Sequence, residues 1–149
     1  PRTSSEKLPQ TIDYKRIIPK HKLGSEHVMD YALERYDGIY DLVEIESSSL
    51  KLYTKNGNPT KELTHAEQQI RDWQDWIEEK NFYAQEKLKN IRNPKGYIII
   101  GRTKMLGKSN EKKLLSRNLL FNGKIQILTY DDLLNKAIAF LNLVQSYKE

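Results

Sequence analysis

The chain has 149 residues, no cysteine and a formal net charge of +5. Its length fits one domain with a hydrophobic core of its own, so neither a metal nor a disulfide is needed for folding. The lack of cysteine excludes disulfides and thiol catalysis, and the longest strongly apolar run, residues 97–100, is too short to cross a membrane. We therefore expect a soluble, cytoplasmic protein whose basic charge fits either a polyanionic partner or an ordinary Lys-rich surface.

The first part of the chain carries weak signals. Residues 1–10 are polar and lack a period, which predicts a loose lead-in. Residues 14–23 mix apolar and basic side chains around a proline, which predicts either an irregular segment or an interrupted first strand. We assign residues 1–22 to a lead-in segment and residues 23–149 to one domain. Because the chain does not begin with Met, we also expect additional N-terminal domains in a longer protein.

Residues 28–46 predict a β-hairpin, because an Asp-Gly pair separates two runs rich in Val, Leu, Ile and Tyr. The length of the loop decides which side chains face each other. A two-residue loop would place Asp30 opposite Ile45. A three-residue loop, with Gly38 in the left-handed conformation, would place Asp30 opposite Glu44. We favour the second register.

In this register three acids of the hairpin share one face. That face holds Asp30, Glu44 and Glu46 together with Val28, Ala32 and Leu42. The opposite face holds Met29, Tyr31, Leu33, Val43 and Ile45. Carboxylates directly opposite each other repel unless a cation or a shared proton lies between them. We therefore expect the second face to be core and the acidic face to be a site.

A long helix is predicted after Thr60, which fits an N-cap. Its apolar residues recur at helical spacing and would pack on the sheet: Leu63, Ala66, Ile70, Trp73 and Ile77. A second line beside this stripe contains His65, Gln69, Asp72 and Trp76. His65 and Gln69, one turn apart, could reach the acidic face of the hairpin. Alternatively they satisfy loop carbonyl groups, and spacing alone favours this second interpretation.

The second half of the chain alternates helices and strands. Residues 82–90 predict the end of the long helix or a short second one, and residues 97–100 a buried strand. The basic stretch 104–113 leads into an amphipathic helix whose apolar residues are Leu114, Leu115, Leu119 and Leu120. Residues 125–128 predict another strand, and residues 130–147 a final helix. The predicted buried stripe of that helix is Leu133, Leu134, Ala137, Leu141 and Val144.

The start of the final helix contains two acids that need a role. Thr129 as N-cap, with Asp132 three residues on, predicts an acidic capping box. We therefore assign Asp131 and Asp132 to helix capping and not to catalysis. The element order predicts an α/β sheet with an antiparallel hairpin and parallel crossovers. The sequence contains no Gly-rich phosphate loop, zinc-ligand spacing or nucleophile elbow.

Several motifs together resemble a known family. An Asp on one strand, Glu-x-Glu on the next and a Gln on the following helix are similar to the PD-(D/E)XK nuclease pattern. A more specific set of motifs is, in chain order, Asp30, LVEIE, ELTHAEQQIRDW and ILTYDDLL. Over residues 23–134 it resembles the C-terminal nuclease domain of the Shedu anti-phage defence proteins. The resemblance implies a restriction-endonuclease-like fold over residues 23–149, with a mixed sheet and an antiparallel hairpin flanked by helices.

The resemblance also implies a metal-dependent DNA endonuclease acting in anti-phage defence. Asp30 and Glu44 would be ligands of Mg²⁺ or Mn²⁺, and the carbonyl of Ile45 would complete the shell. Gln69 would be the helix-borne polar residue of the motif, and His65 lies in the same run without an assigned role.

One residue departs from the family pattern. Glu46 stands where Lys is usual, so it would have to act through the metal, as a further ligand or as a proton acceptor. Some nucleases of this fold carry Glu at the position. The departure nevertheless supports a second hypothesis. In it the chain is a nuclease-like module that binds or senses nucleic acid without cleaving it.

The expected partner is DNA, with no membrane association, and we expect a homo-oligomer. Basic residues within 104–113 could contact backbone phosphates, although a solvated helix face is the favoured interpretation of these lysines. A third hypothesis for the function is a purely structural oligomerisation domain.

Overall fold

The computed structural model describes residues 14–19, 22–23 and 27–146. The lead-in predicted over residues 1–10 lies outside them. Within the described residues the main sheet has five strands: β1 Tyr14–Pro19, β4 Tyr31–Arg35, β5 Tyr40–Ile45, β6 Lys95–Ile99 and β7 Ile125–Leu128. They lie side by side in the order β1-β4-β5-β6-β7. Two short strands, β2 Lys22–Leu23 and β3 His27–Val28, form a separate antiparallel pair.

In the part of the chain that the structure describes, four helices accompany the sheet. They are α1 Lys61–Glu79, α2 Asn81–Lys87, α3 Gly107–Leu120 and α4 Tyr130–Ser146, with a 3-10 turn at Thr103–Met105. None of the helices in the described ranges combines the length and apolar character needed to cross a membrane. Strands β1, β4 and β5 are antiparallel, whereas β5, β6 and β7 are parallel. The predicted mixed α/β architecture with an antiparallel hairpin is therefore confirmed, and β1 is the interrupted first strand.

The hairpin has the predicted three-residue loop. Tyr31 pairs with Val43 and Ala32 with Leu42, so the register brings the residue before β4 opposite Glu44. Gly38 has a φ of +84°, the left-handed conformation that this loop requires. The hairpin register is thus confirmed.

The prediction of which hairpin face forms the core was wrong, although two members of the face predicted as core, Met29 and Val43, are buried. Ala32 and Leu42, on the acidic face, are fully buried, whereas Ile45 on the other face is 39% exposed. The reason is the position of α1, which packs on the acidic face. Gly96 of β6 lies beside Leu42 on that face, and a Cβ there would come within 2.2 Å of Ile70 Cγ2. The acids therefore stand at the margin of the core.

The apolar stripe predicted for α1 is buried, whereas those predicted for α3 and α4 are largely exposed. Every member of the α1 stripe is buried, as predicted: Leu63, Ala66, Ile70, Trp73 and Ile77. In α3 only Leu114 is buried, and Leu120 is 84% exposed, so the predicted stripe is wrong there. The α4 stripe is also wrong, since Leu133, Leu134, Ala137 and Leu141 are exposed. The side of α4 that faces the sheet instead carries Leu133, Lys136 and Ala139, and a cleft separates them from the sheet.

The predicted helix caps are confirmed where they stabilise α1 and α4. The Leu63 N–H donates to Thr60 Oγ1 at 3.3 Å. The Asp132 N–H donates to Thr129 Oγ1 at 3.1 Å, and the Thr129 N–H donates to Asp132 Oδ2 at 3.0 Å, which completes the capping box. Asp131 has another role, since it pairs with Arg102 at 2.9 Å.

Candidate functional site

The three hairpin acids lie where the sheet's central strand, β5, ends. Asp30 immediately precedes β4, and its Oδ2 accepts a 2.8 Å hydrogen bond from the Ile45 N–H. This bond continues the hairpin one step beyond its last strand pair, so Asp30 stabilises the end of β5. Asp30 is therefore held next to Glu44 by the backbone itself. The side chain of Ile45 is exposed on the opposite face.

Glu44 is the most buried of the three acids, with 7% of its surface exposed. Burial, together with the charges of Asp30 and Glu46, raises the pKa of its carboxyl from 4.5 to about 8. When both glutamates are ionised, Oε2 of Glu44 has no hydrogen-bond partner within the described ranges. When Glu44 is protonated, it shares its proton with the Glu46 carboxylate. The site thus holds a proton or needs another cation.

Glu46 is fixed through its main chain, directly after β5. Its N–H donates to the Ile99 carbonyl at 2.8 Å, and its own carbonyl accepts a 2.5 Å hydrogen bond from the Tyr130 hydroxyl. Burial raises the pKa of its carboxyl, and the charge of Asp30 adds to this effect. His65 acts in the opposite direction and lowers the pKa of Glu46. The two main-chain hydrogen bonds therefore hold a partly buried acid beside two others.

Helix α1 supplies the polar side of the cluster. His65 is exposed and close enough to Glu46 for its charge to affect that carboxyl. Gln69 lies one turn farther along and is half-buried. The structure thus brings Asp30, Glu44, Glu46 and His65 together, and the role of Gln69 stays a prediction.

Two residues near the cluster were not predicted as part of it. The charge of Glu62, in the first turn of α1, raises the pKa of Glu46. Helical spacing was the available signal, because Glu62 is three residues before His65 and seven before Gln69. Tyr130, whose hydroxyl bonds to Glu46, gave no such signal, because it lies 84 residues farther along the chain.

A divalent cation is the group that this cluster suits. Among the described residues, no three His, Asp or Glu side chains are already arranged around one metal position. Mg²⁺ does not require such an arrangement, because it usually keeps several waters and binds through one or two carboxylates. The partnerless Oε2 of Glu44 beside two further acids fits a hard cation of this kind. The metal ligands predicted from the sequence stay predictions.

The sequence matches one family over most of its length. The family described as the C-terminal part of the Shedu protein SduA matches residues 4–134. No curated protein matches the chain. The matched range includes the whole hairpin, α1 and the start of α4, and hence every residue of the acidic cluster described above. The chain therefore belongs to the family of Shedu SduA C-terminal domains.

Proposed function

We propose that the chain is a PD-(D/E)XK-type, metal-dependent DNA endonuclease domain that acts in anti-phage defence. Membership of the Shedu SduA family supports the defence role. The observation that carries the nuclease proposal is the buried carboxyl of Glu44, partnerless when ionised and placed against Asp30 and Glu46. Three carboxylates close together at a strand end repel each other and so lower the stability of the fold. A purely structural domain would have no need of this arrangement.

Each residue of the acidic cluster has its own role in the proposed reaction. Asp30 and Glu44 would hold Mg²⁺ or Mn²⁺, with the Ile45 carbonyl as a further ligand. When bound, such an ion supplies a Lewis acid for the scissile phosphate and lowers the pKa of an attacking water. Glu46 would act as the proton acceptor for an attacking water, and the raised pKa of its carboxyl supports this role. His65 is exposed beside Glu46, so it could exchange that proton with solvent.

A second candidate is a nuclease-like module that binds nucleic acid without cleaving it. The observation that favours it is Glu46 at the position where Lys is usual. This candidate predicts salt-dependent DNA binding with no metal-dependent turnover.

Cleavage of supercoiled plasmid in Mg²⁺ or Mn²⁺ tests the proposal, with chelator present in a parallel reaction. We expect metal-dependent cleavage by the wild type and its loss in Asp30→Ala and Glu44→Gln. The matched control is Glu34→Gln, an acid of the same hairpin that pairs with Arg16 at 2.9 Å. Glu34→Gln should cleave as the wild type does.

The outcomes separate the candidates because folding is measured in the same samples. Wild-type cleavage rates in folded Glu44→Gln would overturn the site assignment. DNA binding without cleavage by the wild type, in the longer protein as well as in this chain, would favour the second candidate. A thermal shift of the wild type by Mn²⁺ that Glu44→Gln lacks would establish the metal ligand separately from turnover.

A further inference from the structure

A second site lies on the opposite face of the sheet from the acidic cluster. Side chains alternate along β5, so Asp41 and Val43 face away from Leu42 and Glu44. Here a cleft of about 600 Å³ separates the sheet from α4. This volume is within the range of small-molecule sites. Apolar side chains form most of its wall: Ile17, Leu33, Val43, Ile99, Leu128 and Leu133.

The polar groups of the cleft gather at one end. Asp41 lies beside Lys95, and Tyr97 beside Gln126, at the amino ends of the parallel strands. The Tyr14 hydroxyl donates to Asp41 Oδ2 at 2.7 Å. Lys95 Nζ lies 3.4 Å from Gln126 Oε1 and 4.9 Å from the centre of the Tyr97 ring. The cleft therefore has a polar end with donors and acceptors, and an apolar remainder.

Asp41 is the group that points to a ligand. It is 1% exposed, and its Oδ1 has no hydrogen-bond partner in the described ranges, although Oδ2 is satisfied by Tyr14. A buried carboxylate oxygen without a donor is costly, and each such group calls for an explanation. Since Asp41 forms part of the wall of the cleft, a ligand with an N–H group could supply the missing donor after a small rotation of the carboxylate.

The charges of the cleft narrow the class of ligand. Lys95 and Lys136 disfavour a simple cation, whereas buried Asp41 disfavours an anionic head at the polar end. A wholly apolar ligand would leave Oδ1 unpaired. The remaining class is a neutral head with an N–H donor for Asp41 beside an acceptor for Lys95. The exposed Lys136, also in the wall of the cleft, can pair with a negative group on the same ligand.

We propose that this cleft binds a mononucleotide, with N–H groups of the base at Asp41, base acceptors at Lys95 and the phosphate at Lys136. The apolar wall and the Tyr97 ring accommodate the faces of the base. The site is independent of the proposed nuclease function, because it lies on the other face of the sheet.

Calorimetric titration of the full chain with AMP, GMP, CMP and UMP tests the proposal. Chelator is present throughout, so that binding through a metal at the acidic cluster cannot contribute. We expect at least one nucleotide to bind with a Kd below about 1 mM. Ribose 5-phosphate, which lacks the base, should bind at least about tenfold more weakly.

The decisive variant is Asp41→Asn. Its amide oxygen can accept from Tyr14, which would place the amide NH₂ where Oδ1 was and turn an acceptor into a donor. Nucleotide affinity should fall at least about tenfold without loss of folding, because the substitution removes a buried charge. Asp75→Asn, at an exposed position of α1 on the other face of the sheet, is the matched control and should bind as the wild type does. Lys136→Ala should weaken binding of the nucleotide but not of its nucleoside.

Three results would overturn the proposal. One is the absence of binding by all four nucleotides at about 1 mM. Another is equal binding by wild type and Asp41→Asn, or equal binding of nucleotide and ribose 5-phosphate. The third is self-association that Leu133→Lys abolishes, because the cleft would then be an interface with a second copy of the chain.

Discussion

The hydroxyl of Tyr130, the first residue of α4, donates a 2.5 Å hydrogen bond to the carbonyl oxygen of Glu46 at the end of β5. This bond joins the acidic cluster to a helix whose later turns are largely exposed. The start of α4 is fixed separately by the Asp131–Arg102 pair, at 2.9 Å, and by the Thr129 capping box. Through this hydrogen bond, the position of α4 therefore helps to fix the position of the Glu46 main chain.

Tyr130→Phe removes this hydrogen bond and leaves the ring in place. We expect the free energy of unfolding to fall by about 1 kcal/mol, the usual net value of one hydrogen bond. If the chain is a nuclease, the cleavage rate at saturating DNA should fall by about ten- to a hundredfold, because Glu46 would be misplaced. Single-turnover cleavage and urea unfolding measure the two effects. Tyr36→Phe, in the exposed hairpin loop, is the control, and equal rates in both variants would contradict a positioning role for Tyr130.

Gln69 allows a test with its neighbour as control. Gln69 is half-buried on α1, whereas Gln68 is exposed and donates to Asp72 at 2.8 Å. If Gln69 orients the attacking water or a metal ligand, Gln69→Ala should slow cleavage by about 10² to 10³. Gln68→Ala should have no such effect, because its side chain faces solvent. Cleavage rates in Mg²⁺ provide the comparison, and equal rates for the two variants would remove Gln69 from the site.

The metal-free protein should lose stability as the pH rises. Glu44 has an ordinary pKa of 4.5 when unfolded and about 8 when folded, so between these values the folded state holds a proton that the unfolded state has released. Its stabilising contribution is complete below about pH 4.5 and is lost as the pH rises through about 8. The total is a few kcal/mol, at about 1.4 kcal/mol for each pKa unit.

Urea unfolding in chelator between about pH 5 and pH 8.5 measures this loss. Glu44→Gln should flatten the profile and be more stable than the wild type at the upper end. A smaller slope should persist, because burial also raises the pKa of Glu46 and of Asp41. Glu34→Gln should retain the full slope, and a wild type whose stability is constant across this range would contradict the raised pKa of Glu44.

The ion pair between α1 and α3 should contribute strongly to stability. Arg117 donates to both carboxylate oxygens of Glu67 at 2.5 and 2.6 Å, and Glu67 is 1% exposed. Glu67→Ala leaves a cavity and an unpaired guanidinium, so we expect a loss of about 2 to 4 kcal/mol, less than for a wholly buried pair because Arg117 is partly exposed. Glu34→Ala, which breaks the exposed pair with Arg16, should cost less than about 1 kcal/mol. Similar losses in the two variants would refute this ranking.

The sequence determined those features that depend on neighbours along the chain. The hairpin loop followed from an Asp-Gly pair, and its register placed Asp30 opposite Glu44 before any tertiary contact was considered. The stripe of α1 and the capping box at Thr129 are likewise local, because both depend on residues within one or two helical turns.

Only the tertiary structure decided which faces are covered. A helix can pack on either face of a sheet, and α1 lies on the acidic face because Gly96 leaves room for Ile70 there. The apolar residues of α4 resemble a buried stripe in sequence, yet Leu134 and Leu141 are exposed. Local periodicity shows which residues share a helix face, but it does not determine whether another element covers that face. The Tyr130–Glu46 hydrogen bond spans 84 residues, and the cleft at Asp41 draws its wall from all five strands of the main sheet and from α4. Contacts of this range are set by how the elements pack, and packing depends on the shapes of surfaces that distant parts of the chain bring together.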